Sequence, residues 1–182
     1  MTEATLDQFP LSPADGAPTE GTYAIRIGAD GTWYYHGSPI QRMPLVKLFA
    51  GVLSRDEQGD YWLTTPAERG RIAVDDAPFV AVEARAEGEG EDRRYLFRTN
   101  LDEEVAAGPD HPIRLEQDDL SEAPRLYIVV RGRLEARISR AVFYDLVEQA
   151  AERETPRGTE LGIWSARTFF PLGTLPPAPA SN

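Results

Sequence analysis

The chain contains no cysteine. That absence removes disulfide frameworks, thiolate nucleophiles and thiolate zinc sites together. Lysine is almost missing too: Lys47 is the only one, so nearly every basic group is an arginine. The planar, permanently charged guanidinium suits ion pairs and phosphate groups better than an ammonium does, although many surface arginines do no more than pair with a neighbouring acid. Histidine occurs only at His36 and His111, with no partner at ligand spacing. No metal site and no cofactor are expected. No run approaches the roughly 18 apolar residues of a membrane span, and the opening MTEATLDQFPLSPADGAPTEG has neither a basic n-region nor an apolar h-region. A soluble, cytoplasmic protein with no membrane association is the expectation. The patterns G-x-S-x-G, H-E-x-x-H and G-x-x-x-x-G-K-[ST] do not occur either, which takes away the usual supports of serine hydrolase, zinc protease and P-loop readings.

What is present is acidic and sufficient for a core. The net charge is −11 over 182 residues, a field that repels nucleic acid and anionic lipid unless arginines gather on one face. At 41% hydrophobic, the chain can bury one domain or two small ones. Residues 1–20 and 173–182 mix proline, glycine and polar groups without periodicity and read as tails. Between them, TYAIRIGADGTWYYHG reads as a hairpin turning at Asp30-Gly31 and ending at Gly37. A helix led by Pro44 follows, with Leu45, Val46, Phe49, Val52 and Leu53 on one stripe. Tyr61 and Leu63 mark a strand. Thr65 and Glu68 have capping-box spacing and predict a short helical turn ending at Gly70.

From Ile72 onward the alternation is that of antiparallel ribbons: RIAV, PFVAVEARA, RRYLFRTN, HPIRLE, RLYIVVR and RLEARI. A long helix is predicted from the N-cap Ser139 to about Arg153, stopped by Thr155, Pro156 and Gly158. GIWSARTFF reads as a last strand. The fold class is therefore α+β, with two small subdomains at 21–77 and 78–172, mostly antiparallel sheets and two principal helices.

The two halves also repeat. Ile40-x-Arg42 and Ile138-x-Arg140 lie 98 positions apart (138 − 40), and the same offset pairs Leu45 with Phe143, Val46 with Tyr144, Leu48 with Leu146, Phe49 with Val147 and Arg55 with Arg153. A glycine, Gly37 or Gly132, precedes each helix, and a tryptophan, Trp62 or Trp164, follows it. Duplicated units commonly bind a ligand where the copies meet.

Arginine is densest in RGRLEARISR, where Arg131, Arg133 and Arg137 share strand parity and Arg140 opens the long helix. A helix N-terminus favours negative charge, and Arg42 holds the matching place before the first helix. The alternative for each arginine is to pack over an aromatic such as Trp33 or Tyr127 and pair with an acid. Thr99 and Asn100, in FRTN, supply neutral hydrogen-bonding groups or cap a turn. Asp75 and Asp76 could act as acid and base, but adjacent strand residues point to opposite faces, and a turn before Pro78 accounts for them as well.

The strings DGTWYYHGSPIQR, YWLTTPAERGRIAVDDAPFVAV, FRTN and RGRLEARISRAVFYDLVE, in this order, resemble the bacterial family called domain of unknown function 1285, over roughly residues 22–170. The resemblance implies an internal duplication, a C-terminal half like the pleckstrin homology fold, a nucleotide-type ligand site between the halves and a role in signalling. It implies no activity.

The leading expectation is a non-catalytic module that senses a small anionic, nucleotide-like ligand in the cleft between the subdomains. Arg42, Arg137 and Arg140 would meet its charge, Thr99 and Asn100 would hydrogen-bond to it, and Phe79 or Tyr144 would pack on its ring. The alternatives are a protein-interaction adaptor without a small ligand and a small hydrolase built on Asp75 or Asp76.

Overall fold

The computed structural model describes residues 19–117 and 123–175. These form two compact units. The first takes the chain up to Gly28 and from Thr32 to Asp75, and the second takes Ala29–Gly31 and the chain from Asp76 onward. The architecture is α+β, with two helices and mostly antiparallel strands among the described residues.

The first unit runs β1 (Thr19–Ile27), β2 (Trp33–Tyr35), β3 (Ser38–Pro39), α1 (Met43–Gly51), β4 (Leu53–Arg55), β5 (Tyr61–Thr64) and β6 (Glu68–Val74). Its sheet has the order β3-β2-β1-β6-β5-β4. Two antiparallel meanders are thereby joined along one parallel seam, β1 against β6. The turn into β3 needs two left-handed residues, and His36 at φ 47° and Gly37 at φ 79° supply them, Gly37 without steric cost. Pro44 opens α1, and Val46 and Ala50, one turn apart, are its buried residues. Trp33 stacks on Phe49 with ring centroids 6.3 Å apart. Residues 65–70 are not a helical turn as expected. Thr65 instead closes the β5–β6 hairpin, its hydroxyl accepting from the Glu68 amide at 3.1 Å and donating to the Glu68 carbonyl at 3.2 Å. The same Thr-x-x-Glu spacing serves a tight turn when the flanking segments are strands.

The second unit runs β7 (Phe79–Glu87), β8 (Arg94–Thr99), β9 (Glu104–Ala106), β10 (Ile113–Glu116), β11 (Arg125–Arg131), β12 (Leu134–Ile138), α2 (Arg140–Glu148), β13 (Ala151–Thr155), β14 (Gly158–Ser165) and β15 (Thr168–Leu175). One sheet has the order β10-β11-β12-β7-β8-β9, again two meanders with a parallel seam, here β12 against β7. A separate antiparallel sheet is β13-β14-β15. Ser139 caps α2 as predicted, its hydroxyl accepting from the Val142 amide at 3.3 Å, and Val142 and Leu146 are the buried helical residues.

Two expectations fail in this region. The helix stops at Glu148 instead of Arg153, because residues 151–155 pair with β14 as an edge strand. GIWSARTFF is two strands rather than one, since Ala166 and Arg167 take φ 48° and 61° and turn the chain back. Neither residue type advertises a left-handed turn.

The order β1-β2-β3-α1-β4-β5-β6 recurs as β10-β11-β12-α2-β13-β14-β15, with β7, β8 and β9 as an additional meander. Gly37 and Gly132 occupy equivalent hairpin turns, and Leu53 and Ala151, the first residues of β4 and β13, stand 98 apart (151 − 53). Through the helices, however, the constant offset pairs unlike environments: exposed Leu48 with buried Leu146, and buried Val46 with exposed Tyr144. The buried pairs Val46/Ala50 and Val142/Leu146 are 96 apart (142 − 46). A two-residue slip turns a helix by about 200°, so the order of elements repeats while the residue matching does not.

Candidate functional site

The second unit contains a recess walled by the start of β11, the end of β12 and the first turns of α2. Pro124, Arg125, Arg137, Arg140, Phe143 and Tyr144 line it, and its volume is about 100 Å³. The elements explain the grouping. Strand β12 runs straight into α2 through the Ser139 cap, so Arg137, Arg140 and Tyr144 come to one mouth. Antiparallel pairing of β11 with β12 sets Tyr127 opposite Arg137 and brings Arg125 to the same end.

The three guanidinium groups differ in their surroundings. Arg137 donates to Asp76 at 3.0 Å, and the Tyr127 hydroxyl donates to the other Asp76 oxygen at 2.7 Å. Asp76 is only 17% exposed and so anchors Arg137 from behind. Burial first, then the hydrogen bond and charge of Asp76, push the Tyr127 hydroxyl up to about 12 against the pull of Arg125. Arg114 lies 4.4 Å above the Tyr127 ring and is held by Glu135 at 3.0 Å. Arg125 hydrogen-bonds Tyr127, its largest stabiliser, which with neighbouring acids raises its affinity for the proton. Arg140 is exposed and has no ion-pair partner among the described residues. Among the described residues the recess therefore presents two arginines fixed by Asp76 and Tyr127 and one unpaired charge at the rim, with no acid in its lining. Tyr144 is 55% exposed and meets the Phe143 ring edge-on at 5.7 Å.

Of the expected site residues, Arg137, Arg140 and Tyr144 meet in this recess. Arg42 belongs to the first unit, where it is the exposed N-cap residue of α1 and makes no side-chain cap. Phe79 is fully buried, with the Arg131 guanidinium 5.7 Å from its ring centroid, so it offers no face to a ligand. Thr99 is equally buried, and its hydroxyl accepts from the amides of Leu101 and Glu103, closing the β8–β9 turn. Asn100 accepts from the Val80 amide at 3.0 Å. Those polar groups are engaged in holding the β7–β8–β9 meander. Asp75 pairs with Arg26, so both carboxylates of the VDDAPF segment are tied to arginines. Among the described residues there is no cluster of three or more metal-ligating side chains.

Sequence reasoning missed Arg125 and Phe143 at this recess. Arg125 could have been found from its place six residues before Arg131 in a strand hairpinned onto Arg137, once the β11–β12 turn was fixed at Gly132.

Fold and recess together describe a two-unit α+β protein with an arginine-lined hollow beside its second helix. Residues 16–77 match the N-terminal domain, and residues 78–172 the C-terminal domain, of the family of proteins of unknown function DUF1285. The chain belongs to the DUF1285 family. A DUF1285 family protein from Silicibacter pomeroyi DSS-3 is similar at 41% identity and a TM-score of 0.78, over 87% of this chain and 85% of that one. A second from Shewanella baltica OS155 shares the fold at 24% identity and a TM-score of 0.55, over 70% of this chain and 92% of that one. No curated protein matches. No described helix is long and apolar enough to cross a membrane.

Proposed function

We propose that this protein is a non-catalytic binding module, and that the recess on its second unit takes the anionic group of a small, nucleotide-like ligand. One observation carries the reading: Arg125, Arg137 and Arg140 converge on a hollow with no acid among the described residues that line it, in a chain whose net charge is −11. Concentrating positive charge against the overall field of the molecule has a recognition purpose more readily than a solubility one. Asp76 and Tyr127 position Arg137, so little side-chain freedom is left to lose when an anion binds. The volume of about 100 Å³ falls below the roughly 300–1,000 Å³ of clefts that enclose a whole ligand. It suits one phosphate or carboxylate group, with the rest of the ligand lying outward over the exposed Tyr144 ring. A role in signal transduction is the use that such a ligand-sensing module would serve.

Calorimetric titration with adenosine monophosphate tests the reading. The parent should bind saturably. Arg140→Ala should bind about 10- to 100-fold more weakly, the loss of a charge-assisted contact, with its fold intact because Arg140 is exposed. Equal affinity in parent and variant would remove the recess from the account.

A further inference from the structure

A second hollow, of about 390 Å³, is lined by Gly90, Glu91, Arg93, Trp164 and Arg167. Its floor is an indole. Trp164, on β14, is 47% exposed, whereas Trp33 and Trp62 are 2% and 8% exposed. Water contact with so large an apolar ring is unfavourable.

The repeated order of elements shows what such a ring does when it is covered. Trp62 sits on β5, the middle strand of the first unit's closing meander, as Trp164 sits on β14 in the second. The Arg69 guanidinium lies 4.0 Å from the Trp62 ring centroid, Arg71 lies 5.2 Å from it, and the indole N–H donates to Asp56 at 2.8 Å. Planar groups thus complete the first platform from within the chain. On the second, Phe169 stands opposite Trp164 as Arg71 stands opposite Trp62 and meets the indole only edge-on at 5.2 Å; β15, the counterpart of β6, contains no arginine, and Arg153 on β13 lies over Phe169.

The polar rim narrows the occupant. Glu91 is 87% exposed, and its only ion-pair contact among the described residues is Arg167 at 4.0 Å, the limit of such a contact. The Arg93 Nε–H is buried and has no hydrogen-bond partner, a feature that natural structures rarely leave unexplained. An anionic ligand would meet Glu91, and a cationic one would meet Arg93 and Arg167. A flat, uncharged ring bearing an N–H donor beside a carbonyl acceptor satisfies both signs. A protein partner fits less well, because the other large exposed apolar residues of this unit, Val82, Tyr144 and Leu175, do not line the hollow and one indole makes no patch.

We infer that the Trp164 hollow is a second binding site, selective for uncharged heteroaromatic rings of lactam type: the ring stacks on the Trp164 indole, donates to Glu91 and accepts from arginine. Hollows of this volume and mostly apolar lining are typical of small-molecule sites, and ring-on-indole stacking is the contact such a floor offers. The inference is independent of the anion recess.

Pterin is a suitable probe, since it carries the donor and acceptor edge and absorbs at longer wavelength than tryptophan. Titrating pterin with the full chain and following pterin emission should give saturable quenching. Glu91→Gln, a change to an exposed side chain, should raise the dissociation constant about tenfold, Trp164→Leu should abolish saturation, and Arg140→Ala should change nothing. Non-saturating quenching, or saturation unaffected by both Glu91→Gln and Trp164→Leu, would overturn the assignment. Loss of pterin binding in Arg140→Ala would also overturn it and move the ring to the arginine recess, leaving the reading of that recess standing.

Discussion

The closing meander of the first unit and that of the second contain the same elements put to different use. In the first, β6 returns to pair with β1, so the strands before and after the helix share one sheet. In the second, β15 packs against β10 without joining its ladder, and β12 takes β7 as its parallel neighbour. The inserted meander β7–β8–β9 thus joins at β12, the opposite edge from β10, where a plain repeat would have placed β15, and β13–β15 forms a sheet of its own. The helices differ in the same sense. The first unit covers its tryptophan and leaves its helix entrance with Arg42 alone. The second exposes a tryptophan and gathers three arginines at its helix entrance. A repeated order of elements preserves the frame, while the surface chemistry is rewritten on it.

The comparison can be broken most sharply in the helices. Leu146→Ala should cost about 2–5 kcal/mol, the transfer and cavity terms of a buried leucine, whereas Leu48→Ala, its partner at constant offset, should change stability by less than about 0.5 kcal/mol. Urea denaturation of the two variants checks this, and equal losses would mean that the residue matching persists through the helices after all. A glycine gives the next effect. A Cβ at Gly162 would stand 2.4 Å from the Phe170 carbonyl oxygen and 2.6 Å from the Phe169 ring. Gly162→Ala should therefore cost about 1–3 kcal/mol through overpacking, read as a lowered thermal midpoint.

Capping comes third. Ser139→Ala should cost about 1 kcal/mol, and Arg42→Ala at the other helix should cost almost nothing, since Arg42 makes no side-chain cap. The last effect is confined to alkaline pH. The Tyr127 hydroxyl is raised from its ordinary value of 10.0 to about 12 in the folded chain. Its contribution to stability is therefore fully present below about pH 10 and is lost as pH rises towards 12. Tyr127→Phe should flatten that part of the stability profile and leave the profile near neutrality parallel to the parent's.

Much of this architecture was legible in the sequence, and the parts that were not share a cause. Strand alternation, the Gly37 and Gly132 turns and the Ser139 cap all rest on contacts within a few residues, where local chemistry decides. The extension of α2 to Arg153 failed because β13 is charged and exposed along Glu152, Arg153 and Glu154, so no apolar period separates helix from strand there. The β14–β15 turn was invisible because Ala166 and Arg167 are unusual left-handed residues. At the recess, Arg137, Arg140 and Tyr144 could be grouped because they lie within one strand-helix junction. The Asp76 anchor could not, because its partners Tyr127 and Arg137 are 51 and 61 residues away in sequence. Thr99 and Asn100 misled for the converse reason: short polar side chains at a strand end close turns as readily as they meet ligands.

Under the proposed function, anion recognition belongs to the second unit's helix entrance and not to the first. Thermal unfolding of the parent, Arg42→Ala and Arg140→Ala with adenosine monophosphate tests it directly, because a ligand at 100 times its dissociation constant adds about 2.7 kcal/mol of stability. The account predicts a saturable upward shift in the parent and in Arg42→Ala, and in Arg140→Ala at the same concentration a shift reduced to about 0.4–1.4 kcal/mol of stabilisation. An undiminished shift in Arg140→Ala, or a loss confined to Arg42→Ala, would contradict it.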